Sequence, residues 1–272
     1  MKRNLSTIFL ILVFFIGLSL LLYPSVSDYW NSLHQSRAIA TYASAVAEID
    51  ETDYDRLWQA ARAYNETILS RPNAHVMSEA EQADYLEQLD VSGNGIMGYI
   101  EIPEIRCTLP IYHGVDEAVL QIAVGHIEWT SLPVGGEGTH CVLSGHRGLP
   151  SAKLFTNLDQ LEKGDLFMLR VLDETLSYEV DQILIVEPQD VSALEITPGE
   201  DYCTLVTCTP YGINTHRLLV RGHRVENQKE AAAVRVTADA LQIEPVLVAP
   251  AVAAPMLLIL LVWVLVRYRK KR

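Results

Sequence analysis

Residues 202–225 read YCTLVTCTPYGINTHRLLVRGHRV, and this stretch decides the fold that the sequence predicts. Two runs rich in apolar and β-branched residues, YCTLVTC and RLLVRGHRV, stand on either side of a turn that contains proline. The excursion from Pro210 to Thr215 is short enough for the two runs to pair as a hairpin. Such a hairpin puts Arg217, at the start of the second run, opposite Cys208, at the end of the first.

Five further runs of β type precede this hairpin and are separated by turns. They are MGYIEIP from residue 97, RCTLPIY from 106, THCVLSG from 139, DLFMLRV from 165 and LSYEVDQILIVEP from 176. Only brief helical patches, near residues 116–124 and 152–158, interrupt them, so the crossover helices of a parallel α/β sheet are missing. Seven runs in roughly 130 residues predict a mainly β domain over residues 96–227, either a closed barrel or a sandwich.

The residues before this domain have the periodicity of helices. Between Ser27 and Leu69 apolar side chains recur at helical spacing, and a break near residues 50–53 divides them into two helices. Residues 70–77, SRPNAHVM, show no periodicity and contain a Pro-Asn pair, which predicts a loop. A short acidic helix over residues 78–89 opens with a Ser-x-x-Glu capping box. Residues 25–95 are therefore expected to form a helical preamble.

Both ends of the chain are apolar. Residues 7–23 form an uncharged run of 17 residues behind two basic ones, at the short end of the length that spans a bilayer. This run fits a signal peptide as well as an anchor, and we favour an uncleaved anchor over residues 1–24. Near the other end, a linker over residues 228–245 leads into 21 uncharged residues, 246–266, which are predicted to be a transmembrane helix. A basic tail over residues 267–272 follows this helix.

The charges are divided between these ends and the domain between them. The chain carries 34 acidic and 21 basic residues; all acidic ones lie between Asp28 and Glu244, while seven basic ones lie in the ends. By the positive-inside rule, both basic termini face the cytoplasm and the acidic domain lies outside the cell membrane. A domain with such an excess of negative charge repels phosphates, which excludes nucleic acid as a partner.

The four cysteines are the first candidates for chemistry. Cys208 ends a strand and precedes the turn sequence Thr-Pro-Tyr-Gly, so its thiol is predicted to lie where a site can open. Cys203 lies five residues before Cys208 on one strand and points to the opposite face, which argues against a bond between them. For Cys107 and Cys141 two interpretations stand: a disulfide, which an extracytoplasmic domain permits, or two packed thiols. No CxxC or HExxH spacing indicates a metal site.

A thiol nucleophile needs a nearby base or cation, because the thiolate is the reactive form. His146 closes the run THCVLSGH and precedes an Arg-Gly-Leu-Pro turn, which predicts a position at the rim of the domain. Arg217 opens the strand that follows the Cys208 turn. These positions predict a Cys/His/Arg site, against the alternative that His146 is a structural or exposed residue, as most histidines are.

Two long segments carry a resemblance to a known family. SLPVGGEGTHCVLSGHRGLPSAKLFTNLDQLEKGD, residues 131–165, and TLVTCTPYGINTHRLLVRGHR, residues 204–224, closely resemble the class C, pilin-polymerising sortases of Gram-positive bacteria. MGYIEIPEI and LPIYHG, within residues 97–114, match the start of their catalytic domain, and the resemblance is dense over roughly residues 95–225. The flanking organisation, with two anchors and a helical preamble, is also typical of that class.

The resemblance implies an eight-stranded sortase β-barrel and a thiol transpeptidase that uses no cofactor. Position by position, Cys208 corresponds to the nucleophile, His146 to the general acid/base, and Arg217 to the residue that holds the substrate and stabilises the oxyanion. The implied substrates are pilin or surface proteins with a Leu-Pro-x-Thr-Gly-type sorting signal, cleaved between Thr and Gly. The implied acceptor is a lysine amine of another pilin subunit, and membrane lipid surrounds the anchors.

The sequence departs from the class at one segment. Class C sortases commonly place an Asp-Pro-aromatic lid over the cysteine, between the preamble helices and the first strand. Here residues 70–75 read SRPNAH, with no Asp before the proline and no aromatic residue after it. The candidate lid contacts are therefore Pro72, Asn73 and His75, and we expect weaker autoinhibition than in relatives that keep the lid.

Three other functions stay open on the sequence. The first is a sortase that attaches surface proteins to a peptidoglycan precursor, and the second is a cysteine protease that hydrolyses rather than transfers. The third is a binding protein on a catalytically idle sortase fold. The motif context and the second anchor favour pilin polymerisation over wall attachment.

Overall fold

The structure is a computed structural model that describes residues 2–68, 76–227, 255–259, 261–263 and 266. Up to residue 227, the helices are α1 (Lys2–Ala47), α2 (Glu51–Ile68), α3 (Glu79–Glu87) and α4 (Glu117–Leu120). The strands are β1 (Ile96–Ile102), β2 (Cys107–His113), β3 (Val124–His126), β4 (Thr139–Ser144), β5 (Leu166–Val171), β6 (Glu174–Val186), β7 (Asp201–Thr209) and β8 (His216–Val225). Short 3-10 helices lie at Leu158–Gln160 and Ser192–Leu194.

The strands of the described chain close into a barrel in the order β1-β2-β3-β4-β7-β8-β6-β5, which confirms the expected eight-stranded barrel. Most neighbouring strands are antiparallel, whereas β2 pairs with β3 and β4 pairs with β7 in parallel. The seven runs of the sequence correspond to seven of these strands, and β3 is the strand that the pattern missed. Its three residues are too few to display an alternation of apolar and polar side chains.

Strand β7 is buried on both faces. Its inward side chains, among them Cys203 and Leu205, lie in the barrel interior and have no exposed surface. On its outer face Val206 packs in a second apolar cluster with Leu194, which belongs to the connection between β6 and β7. Because both faces are covered, the strand becomes partly accessible again only near its end, at Cys208.

Two buried polar side chains fasten the preamble helices to the barrel. The Tyr42 hydroxyl of α1 donates to the Met97 carbonyl at 3.0 Å and accepts from the Leu172 amide at 2.7 Å. The Asn65 side chain of α2 donates to the Leu132 carbonyl at 3.2 Å and accepts from the Leu132 amide at 2.7 Å. Each side chain thus satisfies two backbone groups that water does not reach.

The first two helices differ in part from the expectation. The apolar N-terminal run and the first preamble helix form one continuous helix of 46 residues, with Pro24 inside it. Helix α1 ends at Ala47, and α2 begins at Glu51, so the break lies just before the predicted one. The carboxylate of Asp50 accepts a hydrogen bond from the Asp53 amide at 2.8 Å and thereby caps α2.

The predicted short acidic helix and the helical patch predicted near residues 152–158 had different outcomes. Helix α3 begins with the predicted capping box, in which the Ser78 hydroxyl accepts from the Glu81 amide and the Glu81 carboxylate accepts from the Ser78 amide. The helical patch expected over residues 152–158 is wrong, since turns precede the 3-10 helix there. Leu154 has a φ of 42°, a left-handed conformation that cannot continue an α-helix.

Among the described residues, one helical stretch, Ile11–Ala47, is long and apolar enough to cross a membrane. A membrane anchor and a signal sequence both pass this test of length and composition. Residues 255–259, 261–263 and 266 are helical. The linker, the basic tail, the rest of the second predicted transmembrane helix and the lid residues Pro72, Asn73 and His75 lie outside the described residues.

We predict that Asn65→Ala lowers the free energy of unfolding by roughly 2–4 kcal/mol, because it leaves the buried amide and carbonyl of Leu132 without partners. Denaturant unfolding of the full-length protein measures the loss. Glu66→Ala, at the adjacent exposed position, is the matched control and should change stability by less than about 0.5 kcal/mol. Equal effects of the two substitutions would contradict this account of how the preamble is attached.

Candidate active site

The hairpin of β7 and β8 brings the predicted cysteine and arginine together. The antiparallel register pairs Cys208 with Arg217, as the sequence predicted, and pairs Thr209 with His216 beside them. Cys208 and Arg217 are both partly exposed, and the turn between their strands is exposed throughout. The thiol and the guanidinium therefore belong to neighbouring strand ends at one rim of the barrel.

The parallel pairing of β4 with β7 brings His146 to the same rim. The register ends with Ser144 opposite Val206, and it is extended by a hydrogen bond of 3.0 Å from the Gly145 amide to the Val206 carbonyl. The Thr207 hydroxyl also donates to the Gly145 carbonyl at 2.8 Å. His146 lies two residues beyond Ser144, in the loop that follows β4, and Cys208 lies two residues beyond Val206 on β7, so both residues lie at the same end of this strand pair.

His146 has an acidic neighbour that the sequence did not single out. Its Nε2 lies 3.6 Å from the Glu117 Oε2, with 27% of the histidine side chain and 72% of the glutamate side chain exposed. The Glu117 carboxylate also accepts a hydrogen bond from Gln121, one turn along α4. That hydrogen bond, and next the charge of His146, lower the pKa of Glu117 below its ordinary value. Glu117 is therefore a carboxylate at neutral pH.

Arg147 is a second residue that the sequence reasoning missed. Its side chain is only 9% exposed and pairs with the carboxylate of Asp159, while Nη1 lies 3.5 Å from the Thr209 hydroxyl. The guanidinium also lies 5.8 Å from the centre of the Tyr211 ring. Arg147 thus ties the loop that carries His146 to the loop that follows Cys208. An Arg-Gly turn in sequence gives no sign of such a contact.

Arg217 lies over its own loop. Its Nη1 donates to the carbonyl of Asn214 at 3.4 Å and to the carbonyl of His216 at 3.2 Å. Both contacts are to neutral backbone carbonyls, so they do not neutralise the positive charge of the guanidinium. The β8 side of the thiol therefore carries a cation, whereas the β4 side carries an imidazole and a carboxylate.

The other cysteines differ from Cys208 in their surroundings. All four cysteines are free, so the disulfide considered for Cys107 and Cys141 is not formed. Cys141 lies in register with Cys203 on the neighbouring strand, and both are buried. The Cys107 thiol faces the Leu154 carbonyl at 3.8 Å, and burial raises its pKa to about 12. These three cysteines are packed thiols.

The described residues hold no group of three or more His, Cys, Asp and Glu side chains that could bind a metal ion. A thiol, an imidazole and a guanidinium at adjacent strand ends can attack a carbonyl, transfer a proton and stabilise an oxyanion. This barrel and site define a class of cysteine-dependent acyl-transfer enzymes.

Comparison with known proteins identifies the family. Residues 100–225 match the sortase domain family. The chain is 51% identical in sequence to sortase C1 from Streptococcus agalactiae. It matches the crystal structure of that protein with a TM-score of 0.68 over 71% of this chain and 100% of that chain. It is 45% identical to the crystal structure of sortase C from Streptococcus pneumoniae, with a TM-score of 0.63 over 70% of this chain and 97% of that chain.

A curated relative, sortase D of Bacillus subtilis, is 34% identical over 131 residues, which cover 47% of this chain and 63% of that protein. The chain belongs to the sortase family, and its structural neighbours include class C sortases. The matches to the first two curated relatives span about half to two thirds of their lengths.

We predict that a thiol reagent modifies one cysteine of the folded protein, Cys208, and four after unfolding. The reason is that Cys141 and Cys203 are buried, while burial raises the pKa of Cys107 and so suppresses its thiolate. Intact-mass spectrometry counts the modifications, and Cys208→Ala is the control that should leave the folded protein unlabelled. Labelling of Cys107 at the rate of Cys208 would be the contrary result.

Proposed function

We propose that this protein is a membrane-anchored cysteine transpeptidase that polymerises pilin subunits. It cleaves a Leu-Pro-x-Thr-Gly-type sorting signal between Thr and Gly, keeps the Thr as a thioester, and transfers it to a lysine amine of another pilin. The observation that supports the proposal is that β7, which carries Cys208, pairs with β4 on one side and with β8 on the other; His146 follows β4, and Arg217 lies on β8. The class C sortases among its structural neighbours support it.

In the proposed acylation step, the Cys208 thiolate attacks the Thr carbonyl of the sorting signal. Protonated His146 gives its proton to the departing glycine amine, so that a C–S bond forms, the C–N bond breaks, and neutral imidazole remains. Arg217 faces the developing oxyanion and stabilises it, and its guanidinium also holds the substrate carbonyl in place. The register of β7 with β8 supports this role, since the two residues are direct partners.

We also propose that the N-terminal helix anchors the catalytic domain to the cell membrane and that the domain works outside the cell. The helical stretch Ile11–Ala47 supports the anchor, because it is long and apolar enough to cross a membrane and its most apolar part is not buried. The basic residues at both chain ends, outside the range from Asp28 to Glu244 that holds every acidic residue, support cytoplasmic termini. Membrane lipid is then a permanent partner of the enzyme, and its substrates reach it along the outer surface.

The function is tested by product analysis with the full-length protein. Incubated with a sorting-signal peptide and a lysine-containing pilin peptide, it should release the glycine fragment and form an isopeptide between the two peptides. Cys208→Ala should abolish both products, because the thioester cannot form. Full-length protein carrying His216→Ala, an exposed residue beside Arg217, is the matched control that should keep both products.

Each alternative function has its own product pattern in this assay. A hydrolysed peptide without an isopeptide indicates a protease. Transfer to the stem amine of a peptidoglycan precursor, but not to the pilin lysine, indicates wall attachment. A Cys208 thiol that never forms a thioester with the sorting signal indicates a binding protein. Any of these patterns would replace pilin polymerisation.

We propose further that the segment with Pro72, Asn73 and His75 is a weakened lid. Because it lacks the Asp and the aromatic residue typical of class C lids, we predict that Arg71→Asp with Asn73→Tyr slows thiol labelling of Cys208 severalfold without substrate. Arg71→Asp with Asn73→Ala is the control, since it adds the charge without the ring. Unchanged labelling in the Asp and Tyr variant would mean that this segment does not close over the thiol.

A further inference from the structure

The two sides of the Cys208 thiol differ in charge, and the difference bears on how the second substrate reaches the acyl-enzyme. On the β8 side lies Arg217, whose guanidinium contacts two backbone carbonyls. On the β4 side lies His146, and directly beyond it lies the exposed carboxylate of Glu117. An acceptor lysine arrives as an ammonium at neutral pH, because its pKa is about 10.4. The Arg217 side repels such a group, whereas the Glu117 side attracts it.

The Glu117 carboxylate is held in a position suited to binding an ammonium group. It begins α4, its side chain is 72% exposed, and the Gln121 amide donates to it from one turn along the helix. Its distance of 3.6 Å from the His146 Nε2 leaves the pair in contact while the carboxylate stays open to solvent. An ammonium bound to Glu117 is therefore within a few ångströms of the imidazole that later accepts a proton from the attacking amine.

The other charged groups around His146 do not offer the same site. Arg147 is nearly buried, is cationic and pairs with Asp159. Asp116, the residue before Glu117, is exposed, and no hydrogen bond from its side chain caps α4. Among these groups, Glu117 is the carboxylate in contact with the proposed general base.

We propose that Glu117 and His146 form the entry site for the primary ammonium of the acceptor. The inference rests on the proposed transpeptidation and adds the residue that selects a cationic nucleophile. Glu117 captures the ammonium by charge and raises its local concentration beside the thioester. Its contribution appears in the KM for the amine, because the ion pair with Glu117 strengthens binding of the charged ammonium. The ion pair does not itself speed the chemical step.

The deacylation step then balances as follows. The captured ammonium loses one proton to water and becomes a neutral amine. The amine attacks the thioester carbonyl, the new C–N bond forms, and the C–S bond breaks. Neutral His146 accepts the second proton of the amine, and Cys208 leaves as the thiolate, which restores the starting pair of thiolate and imidazolium.

The test compares a cationic with a neutral nucleophile in the full-length enzyme acylated by a sorting-signal peptide. A lysine-containing peptide is the cationic acceptor, and hydroxylamine, which is neutral at pH 7.5, is the other. We expect Glu117→Gln to raise the KM for the lysine peptide about threefold more than the KM for hydroxylamine, the size of effect that a solvent-exposed ion pair gives. Glu117→Lys should widen the difference further, and Glu117→Asp should narrow it.

Two controls make the result specific. Asp116→Asn removes the same charge from the adjacent exposed residue and should leave both KM values unchanged. Salt should raise the lysine KM of the unsubstituted enzyme more steeply than that of Glu117→Gln, because an exposed ion pair is screened.

An equal change for both nucleophiles in Glu117→Gln would overturn the inference and would mean that Glu117 only positions His146. If the unsubstituted enzyme forms no hydroxamate from the sorting peptide, the proposed function itself fails, and the entry site fails with it. If hydroxamate forms and the lysine peptide is an equally good acceptor in every variant, only the entry site is lost.

Discussion

The parallel pairing of β4 with β7 is the interaction on which the site depends. His146 and Cys208 are separated by more than sixty positions in the chain, and the proposed mechanism needs both. The ladder runs from Thr139 opposite Asp201 to Ser144 opposite Val206, and the Gly145 amide continues it. A shift of one residue in this register would turn every side chain of one strand to the opposite face and separate the histidine from the thiol. The packing that fixes the register therefore also fixes the chemistry.

Packing around Gly145 shows how tightly this junction is built. A Cβ at this position would lie 2.7 Å from the Phe155 ring and 3.0 Å from the Val124 side chain. The absent side chain lets Phe155 pack under the loop that carries His146, and the Phe155 amide donates to the His146 carbonyl at 3.1 Å. The Phe155 ring and the backbone hydrogen bond thus fix the loop, while the His146 imidazole stays partly exposed.

The sequence predicted the local parts of this arrangement and not the distant ones. Cys208 and Arg217 belong to one hairpin, so turn length and strand pattern were enough to pair them. No pattern in a single sequence says that β4 lies beside β7, and the placement of His146 came from its position at a strand end and from family resemblance. Glu117 and Arg147 were missed because their roles depend on contacts with residues far along the chain or in another element.

The charge of the whole chain, finally, is a poor guide to the charge of the site. The excess of acidic residues is spread along the chain between Asp28 and Glu244, so it does not distinguish one side of the Cys208 thiol from the other. The difference in charge between the two sides comes from single residues at strand and helix ends: Arg217 near the start of β8 and Glu117 at the start of α4. Because these two groups lie on opposite sides of the strand that carries Cys208, an oxyanion is favoured on one side and an ammonium on the other. The proposed transpeptidation uses both, one for each half of the reaction: β8 supplies the cation, and α4, beside the loop that follows β4, supplies the carboxylate.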